Sequence, residues 1–155
     1  MNGMSILILR AKDIIDGDVG VHYQITSQAR VATYPHGHDF YEVFLVIDGD
    51  MDHVLNGRAE RLERHSIALI RPGDEHFYHR VRGSLLNIAF TAELLERIDA
   101  LIQVGPCPNA CVTEGDAAQA LGGIREVMAG GLSKEEAALK LKLVLVRLFS
   151  LFQLR

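Results

Sequence analysis

The chain changes its hydrophobic period near residue 91, and that change constrains the fold more than any other feature of its 155 residues. Before it, short apolar runs recur at roughly ten-residue intervals between turn-forming residues. They are Ile6–Leu9, Val21–Ile25, Phe40–Ile47, Met51–Leu55, Ala59–Leu62, Ile67–Ile70, Phe77–Val81 and Leu85–Phe90. Runs of this length and spacing predict about eight strands in a small sandwich or barrel. Asn56-Gly57 is a two-residue hairpin signal, because a type I′ turn needs positive φ at both positions. Asp48-Gly49-Asp50 predicts another turn after the Phe40–Ile47 strand. Beyond residue 91 the apolar positions take a helical period. Thr91 is placed to cap a helix carrying Leu94, Leu95, Ile98 and Leu101, which the Gly105–Asn109 stretch breaks. A second helix is predicted over about 116–128, ending at Gly130-Gly131, and Ser133 with Glu136 makes a capping box for a third. The expected division is a β unit over 1–90 and a helical extension over 91–155.

Composition narrows the function classes. A net charge of −4 and the lack of any Lys or Arg run argue against a surface built for nucleic-acid phosphate. Two cysteines do not make a disulfide framework, so a reducing cytoplasm is expected. Cys107 and Cys111, spaced C-x-x-x-C, read as free thiols rather than as a redox pair or zinc site. The apolar start is too short for a signal-peptide core, and Lys142, Arg147 and Gln153 interrupt the Leu141–Leu154 segment, so no membrane span is expected. No phosphate loop, dinucleotide fingerprint or Gly-x-Ser-x-Gly occurs.

The chemistry concentrates in Pro35-His-Gly-His-Asp-Phe-Tyr-Glu42. In an extended strand His36, His38 and Glu42 share one parity and emerge from one face, together with apolar Phe40, Phe44 and Val46. Polar groups on an inward apolar face cost free energy unless paired, and two imidazoles with a carboxylate suit a divalent transition metal. His76, starting a strand after Pro72-Gly73, is positioned to supply a fourth ligand.

His36-x-His38-x-x-x-Glu42, closing at Gly49, resembles the first cupin motif, and Gly73-x-x-His76 resembles the core of the second. The likeness implies a double-stranded β-helix barrel, jelly-roll-like and mainly β, followed by C-terminal helices. It also implies that His36, His38, Glu42 and His76 ligate a metal, with Zn, Ni, Fe and Mn all compatible. Four departures stand out: Arg30 for the opening Gly, Pro72 displaced by one, His65-Ser66 for Gly-Asp, and Arg80 for the Asn that ends the second motif. The run His38-Asp-Phe-Tyr-Glu-x-Phe-x-Val46, then Leu55-Asn-Gly, Ile70-Arg-Pro-Gly-Asp-x-His76 and Leu86-Asn-Ile-Ala-Phe90, is similar to the N-terminal sensor domain of AraC-type transcription regulators, nearest the branch resembling the chitobiose-operon repressor. That resemblance implies a small polar effector, a sugar or sugar phosphate, with DNA bound only through a helix-turn-helix domain not present in this chain. Tyr78, Arg80, Asn87 and Phe40 are the candidate effector contacts. Tyr78 and Arg80 are equally readable as core packing or a salt bridge, and Asn87 as part of a strand-end turn. The alternative is a stand-alone metal-dependent cupin enzyme, a dioxygenase or sugar isomerase; a third reading is an apolar pocket without metal. His53, His65 and His79 are expected to be ordinary structural histidines.

The last helix carries two apolar stripes. Leu141, Val144, Leu145, Leu148, Phe149 and Phe152 form one broad face, while Leu139, Leu143, Val146 and Leu154 form another beside Lys140, Lys142 and Arg147. The first is expected to cover the barrel or the preceding helix; the second needs another partner, and a homodimer is expected.

Overall fold

A computed structural model describes residues 6–27, 32–98 and 109–153. The elements are β1 (Leu7–Leu9), α1 (Ala11–Ile14), β2 (Val21–Ser27), β3 (His36–His38), β4 (Tyr41–Leu55), β5 (Arg58–Glu63), β6 (Ser66–Ile70), β7 (His76–Phe90), α2 (Ala92–Ile98), β8 (Asn109–Cys111), α3 (Glu114–Met128) and α4 (Lys134–Gln153). All strands join one sheet in which β4 and β7 are the long central pair. The first half of β4 and the second half of β7 lie with β2, β6 and β8; their other halves lie with β5, β3 and β1. The sheet therefore doubles over into two layers that share β4 and β7 and enclose a barrel interior.

The crease sits where Gly49 pairs with Gly83. Both have positive φ, +72° and +109°, and neither has space for a side chain. The Asp48-Gly49-Asp50 signal is thus a correction to the sequence reading: β4 runs through it as one strand, and the two predicted runs of β7 fuse likewise. Asn56 and Gly57 do form the hairpin turn, both at positive φ. His65, standing where cupins carry Gly, adopts φ +70°, the conformation that a glycine would take without strain.

Both faces are covered in the first half of β4 and the second half of β7, so these halves read as nearly unbroken apolar runs. Phe44, Val46, Ala68, Ile70 and Leu85 fill the barrel with Met51, Leu62, Tyr78 and Val81. The alternate residues Val43, Leu45, Ile67, Leu69, Leu86 and Ile88 pack outward against Ala117, Ala120 and Ile124 of α3 and the Leu141–Phe152 face of α4. The caps are as expected. Thr91 Oγ1 accepts from Leu94 N at 3.1 Å, while Ser133 and Glu136 bond reciprocally at 2.8 and 3.1 Å. Strand β8 was not foreseen; it lies in the segment expected to be helical and pairs with β6. The Gly105–Pro108 breaker, Leu101, Cys107 and Leu154 fall outside the described residues, and Cys111 is a free, exposed thiol. Among the described residues no helix is long and apolar enough to cross a membrane.

Two adjacent glycines of α3 allow a direct test of this packing. A Cβ on Gly122 meets nothing within 4 Å, whereas one on Gly123 lies 2.5 Å from Val144 Cγ2. Gly122→Ala is expected to gain about 0.5–1 kcal/mol through helix propensity. Gly123→Ala is expected to lose about 1–3 kcal/mol by overpacking against a stiff β-branched side chain. Urea denaturation midpoints of the two variants should move in opposite directions.

Candidate metal and ligand site

Three of the four candidate ligands converge. Single atoms of His38, Glu42 and His76 lie within 4.8 Å of one another, and all three residues are buried. His38 is at the end of β3, Glu42 at the start of β4, and His76 opens β7. The stretch from His36 to Glu42 is therefore not one strand, and His38 and Glu42 reach the site from different layers. His38 Nε2 lies 3.8 Å from Glu42 Oε2. His36 pairs with His76 across β3 and β7, with ring centroids 4.4 Å apart, but stands beside the convergent group rather than in it.

The imidazoles are tied from behind. His38 Nδ1 donates to Phe40 O at 2.5 Å, and its ring stacks on Phe40. His36 Nδ1 donates to Tyr34 O at 3.1 Å, and His76 Nδ1 lies 3.1 Å from His53 Nε2. These bonds leave His38 Nε2 and His76 Nε2 buried without a hydrogen-bond partner.

Burial dominates the electrostatics. It pushes the Glu42 carboxyl up to about 7, with the Asn87 amide working weakly the other way. Burial, reinforced by neighbouring imidazoles, pulls His76 down to about 2 and His53 to about 4, and lowers His38 as well. His38, His53 and His76 are therefore neutral at pH 7, the form that ligates metals.

These shifts set an acid limit for the metal-free protein. Below pH 6.5 the unfolded chain protonates its imidazoles while His53 and His76 stay neutral in the fold, so stability is lost as pH falls. Glu42 opposes this by one proton, because it remains protonated in the fold up to about pH 7. Two histidines against one carboxyl leave a net uptake on unfolding that grows to about one proton by pH 5, a loss of roughly 1 kcal/mol per pH unit there, to which His38 adds. Urea midpoints measured in chelator should fall steadily between pH 6.5 and 5; a flat profile contradicts this balance.

Beside the convergent group opens a cavity of about 200 Å³, lined by His36, Phe40, Glu42, Tyr78 and Asn87 with His22, Gln24 and Thr26 of β2 and Leu9 and Ile14 from the N-terminal segment. Phe40, Tyr78 and Asn87 thus occupy the predicted location, and the Tyr78 hydroxyl is buried without a partner. Arg80 does not. Its side chain points outward, 3.2 Å from Asp52 Oδ2. Sequence reasoning also missed His53, which is 1% exposed and packed between Phe44, His76 and Tyr78. His65 is half-buried at its turn and His79 is exposed, as ordinary histidines.

Both discrepancies have one cause. The register of β4 against β7 slips between Val46 and Asp48 and again between Asp52 and His53. Ile47 is the extra residue on β4 at the first slip, and His79 is the extra residue on β7 at the second. Each bulge reverses the parity beyond it. The first turns His53 inward, and the second turns Arg80 outward and Val81 inward. The polar residues at alternate positions of β2 were a legible sign of a wet inner face; the bulges had no such sign.

A family model described as the AraC-like ligand binding domain matches residues 19–149. The HTH-type transcriptional activator RhaS of Yersinia pestis (strain Pestoides F) is 34% identical over 70 residues, 44% of this chain and 26% of that protein. The chain thus matches about a quarter of the length of this relative. The AraC-like transcriptional activator CuxR superposes with a TM-score of 0.57 at 12% identity, over 86% of this chain and 48% of that one, a likeness of fold alone. A cupin protein from Bacteroides fragilis aligns over 47% of this chain and 67% of its own, with TM-score 0.41 and 19% identity. The fold is a cupin double-stranded β-helix followed by C-terminal helices. With the match running from residue 19 to residue 149, the chain belongs to the AraC-like ligand-binding domain family.

Proposed function

We propose that this domain is the metal-dependent effector sensor of a cytoplasmic bacterial transcription regulator, in which a helical dimer passes the signal to a DNA-binding domain outside this chain. The observation that carries the metal is the pair of buried, unpartnered Nε2 atoms of His38 and His76 beside Glu42. Buried polar groups without partners are costly, and a divalent ion accounts for all three at once. His38, Glu42 and His76 would hold it, with His36 alongside as a further donor. When bound, such an ion would supply a Lewis-acidic centre beside the cavity.

Gln24, Thr26, Tyr78 and Asn87 offer hydroxyl-binding groups, and among the described lining residues there is no Lys or Arg. With Arg80 outside, we favour an unphosphorylated sugar over a sugar phosphate. The volume is below the roughly 300–1,000 Å³ of drug-sized pockets, which fits a single small ring. The motif run through His38–Val46 supports a place near the chitobiose-repressor-like branch.

Signal transfer follows from strand alternation. Glu42 and Asn87 line the cavity, while their neighbours Val43 and Ile88 pack toward the helices. The opposite face of α4 leaves Leu139, Leu143 and Val146 exposed at 58%, 60% and 42%, which supports a dimer there. The sensor reading precedes the enzyme alternative because the matched relatives are named as regulators of transcription.

The test is elemental analysis of protein purified without a His tag, followed by calorimetry with neutral sugars and their phosphates, with and without metal. Bound Zn, Ni, Fe or Mn together with metal-dependent sugar binding supports the reading. Protein that takes up none of these ions overturns the metal, and catalytic turnover favours the enzyme.

A further inference from the structure

Behind His76, away from His38 and Glu42, lies a second buried imidazole with no counterpart behind either other ligand. His53 Nε2 sits 3.1 Å from His76 Nδ1, and the ring is enclosed by Phe44, Tyr78 and His76. His38 and His36 are anchored by backbone carbonyls, which can only accept and therefore fix an Nδ1–H. The His53–His76 bond has no such built-in direction, because either ring can donate. The surroundings decide it. If His76 Nδ1 accepted, its proton would sit on Nε2, where the structure offers no hydrogen-bond acceptor. A buried, unsatisfied N–H is among the rarest features of native proteins. With the proton on Nδ1, donated to His53, the His76 Nε2 lone pair faces Glu42 and His38.

We infer that His53 is a positioning residue that accepts the Nδ1 proton of His76, locking that ring in the tautomer and orientation in which Nε2 can ligate. His53 is not itself a ligand, since its Nε2 is engaged on the far side of His76. The assignment rests on the metal reading proposed above, although the tautomer lock is a property of the metal-free chain. Partners in this position set ligand basicity and ring orientation, and losing one typically costs about 10–100-fold in metal affinity.

The experiment compares the wild-type domain with His53→Leu, which removes the acceptor, and His53→Gln, whose carbonyl can restore it. Imidazole ¹⁵N chemical shifts of the metal-free domain report the His76 tautomer, and Zn(II) and Co(II) titrations report affinity and the cobalt spectrum. The expected result is an Nδ1–H His76 in the wild type and in His53→Gln, and a mixed tautomer in His53→Leu. Metal affinity should be 10–100-fold weaker in His53→Leu, with an altered cobalt spectrum, and largely recovered in His53→Gln. Near-ultraviolet circular dichroism verifies that each variant is folded; if His53→Leu is not, the wild-type tautomer and the His53→Gln affinity decide. An Nε2–H His76 in the wild type, an unchanged tautomer in folded His53→Leu, or equal weakening in both variants overturns the inference. Failure of the wild type to take up either ion instead overturns the metal reading, and the tautomer comparison still decides the role of His53.

Discussion

Gly49→Ala is expected to cost more than about 4 kcal/mol, most of the stability of a domain at the low end of the ordinary range. The residue has φ +72°, and a Cβ there would lie 1.8 Å from the Arg82 carbonyl oxygen. Left-handed strain alone contributes about 1–2 kcal/mol. Steric overlap contributes the greater part. The obstructing atom belongs to the backbone of β7, so relief requires the two central strands to separate at the crease where both pass between layers. Asp48 fastens that crease by accepting from Ser84 N and Oγ at 2.7 and 3.1 Å, so separation also strains these bonds. Gly57→Ala is the control. Its φ is +78°, nearly the same, but nothing lies within 4 Å of the added atom. It should cost only the conformational strain, about 1–2 kcal/mol. Comparable urea midpoints for the two variants would show that the crease is not a close backbone approach.

The same crease marks where the sequence stops being legible. Up to Val46, alternation assigns each residue of β4 to its observed face: Glu42, Phe44 and Val46 inward, Val43 and Leu45 toward the helices. A bulge inserts one residue without any distinctive side chain, and Ile47 and His79 are unremarkable in type. Parity counted through them therefore fails, which hides His53 and misdirects Arg80. The convergent residues His38, Glu42 and His76 were legible because their spacing and residue types coincide with a known motif. Their differing layers, and the displacement of His36 to one side, depend on strand pairing over long sequence distances. Local patterns also carried the helices well, since the caps at Thr91 and Ser133 are short-range chemistry. Strand β8 escaped because three residues that pair with β6 carry almost no period of their own.

Glu42→Gln should raise stability in the metal-free site and forfeit nearly all of the stabilisation that a metal gives. In the metal-free fold the Glu42 carboxyl is raised to about 7 against 4.5 for the free side chain. Stability associated with its protonated form is present at low pH and lost as pH rises from 4.5 to 7. Ionising it in the fold at pH 8 thus costs about 3 kcal/mol relative to the unfolded chain. Glutamine keeps the shape and carries no charge, so the variant should be more stable than wild type at pH 8 in chelator, with the advantage vanishing toward pH 4.5. A divalent ion offsets most of that advantage. Its charge favours the carboxylate, and at 100 times the dissociation constant it stabilises the wild type by about 2.7 kcal/mol, roughly 5–10 °C for a domain of this size. Spreading a binding energy of about 10–16 kcal/mol over three or four ligands assigns some 3–4 kcal/mol to each, so Glu42→Gln should bind at least about 100-fold more weakly. At the same ion concentration it then gains only a few tenths of a kcal/mol. Thermal melts at pH 8 with chelator and with Zn(II) or Ni(II) should therefore converge: the variant well above wild type without metal, and within about 1 kcal/mol of it with metal. A carboxyl that merely satisfies the core would show no convergence, because the metal would then leave both melting curves where they were.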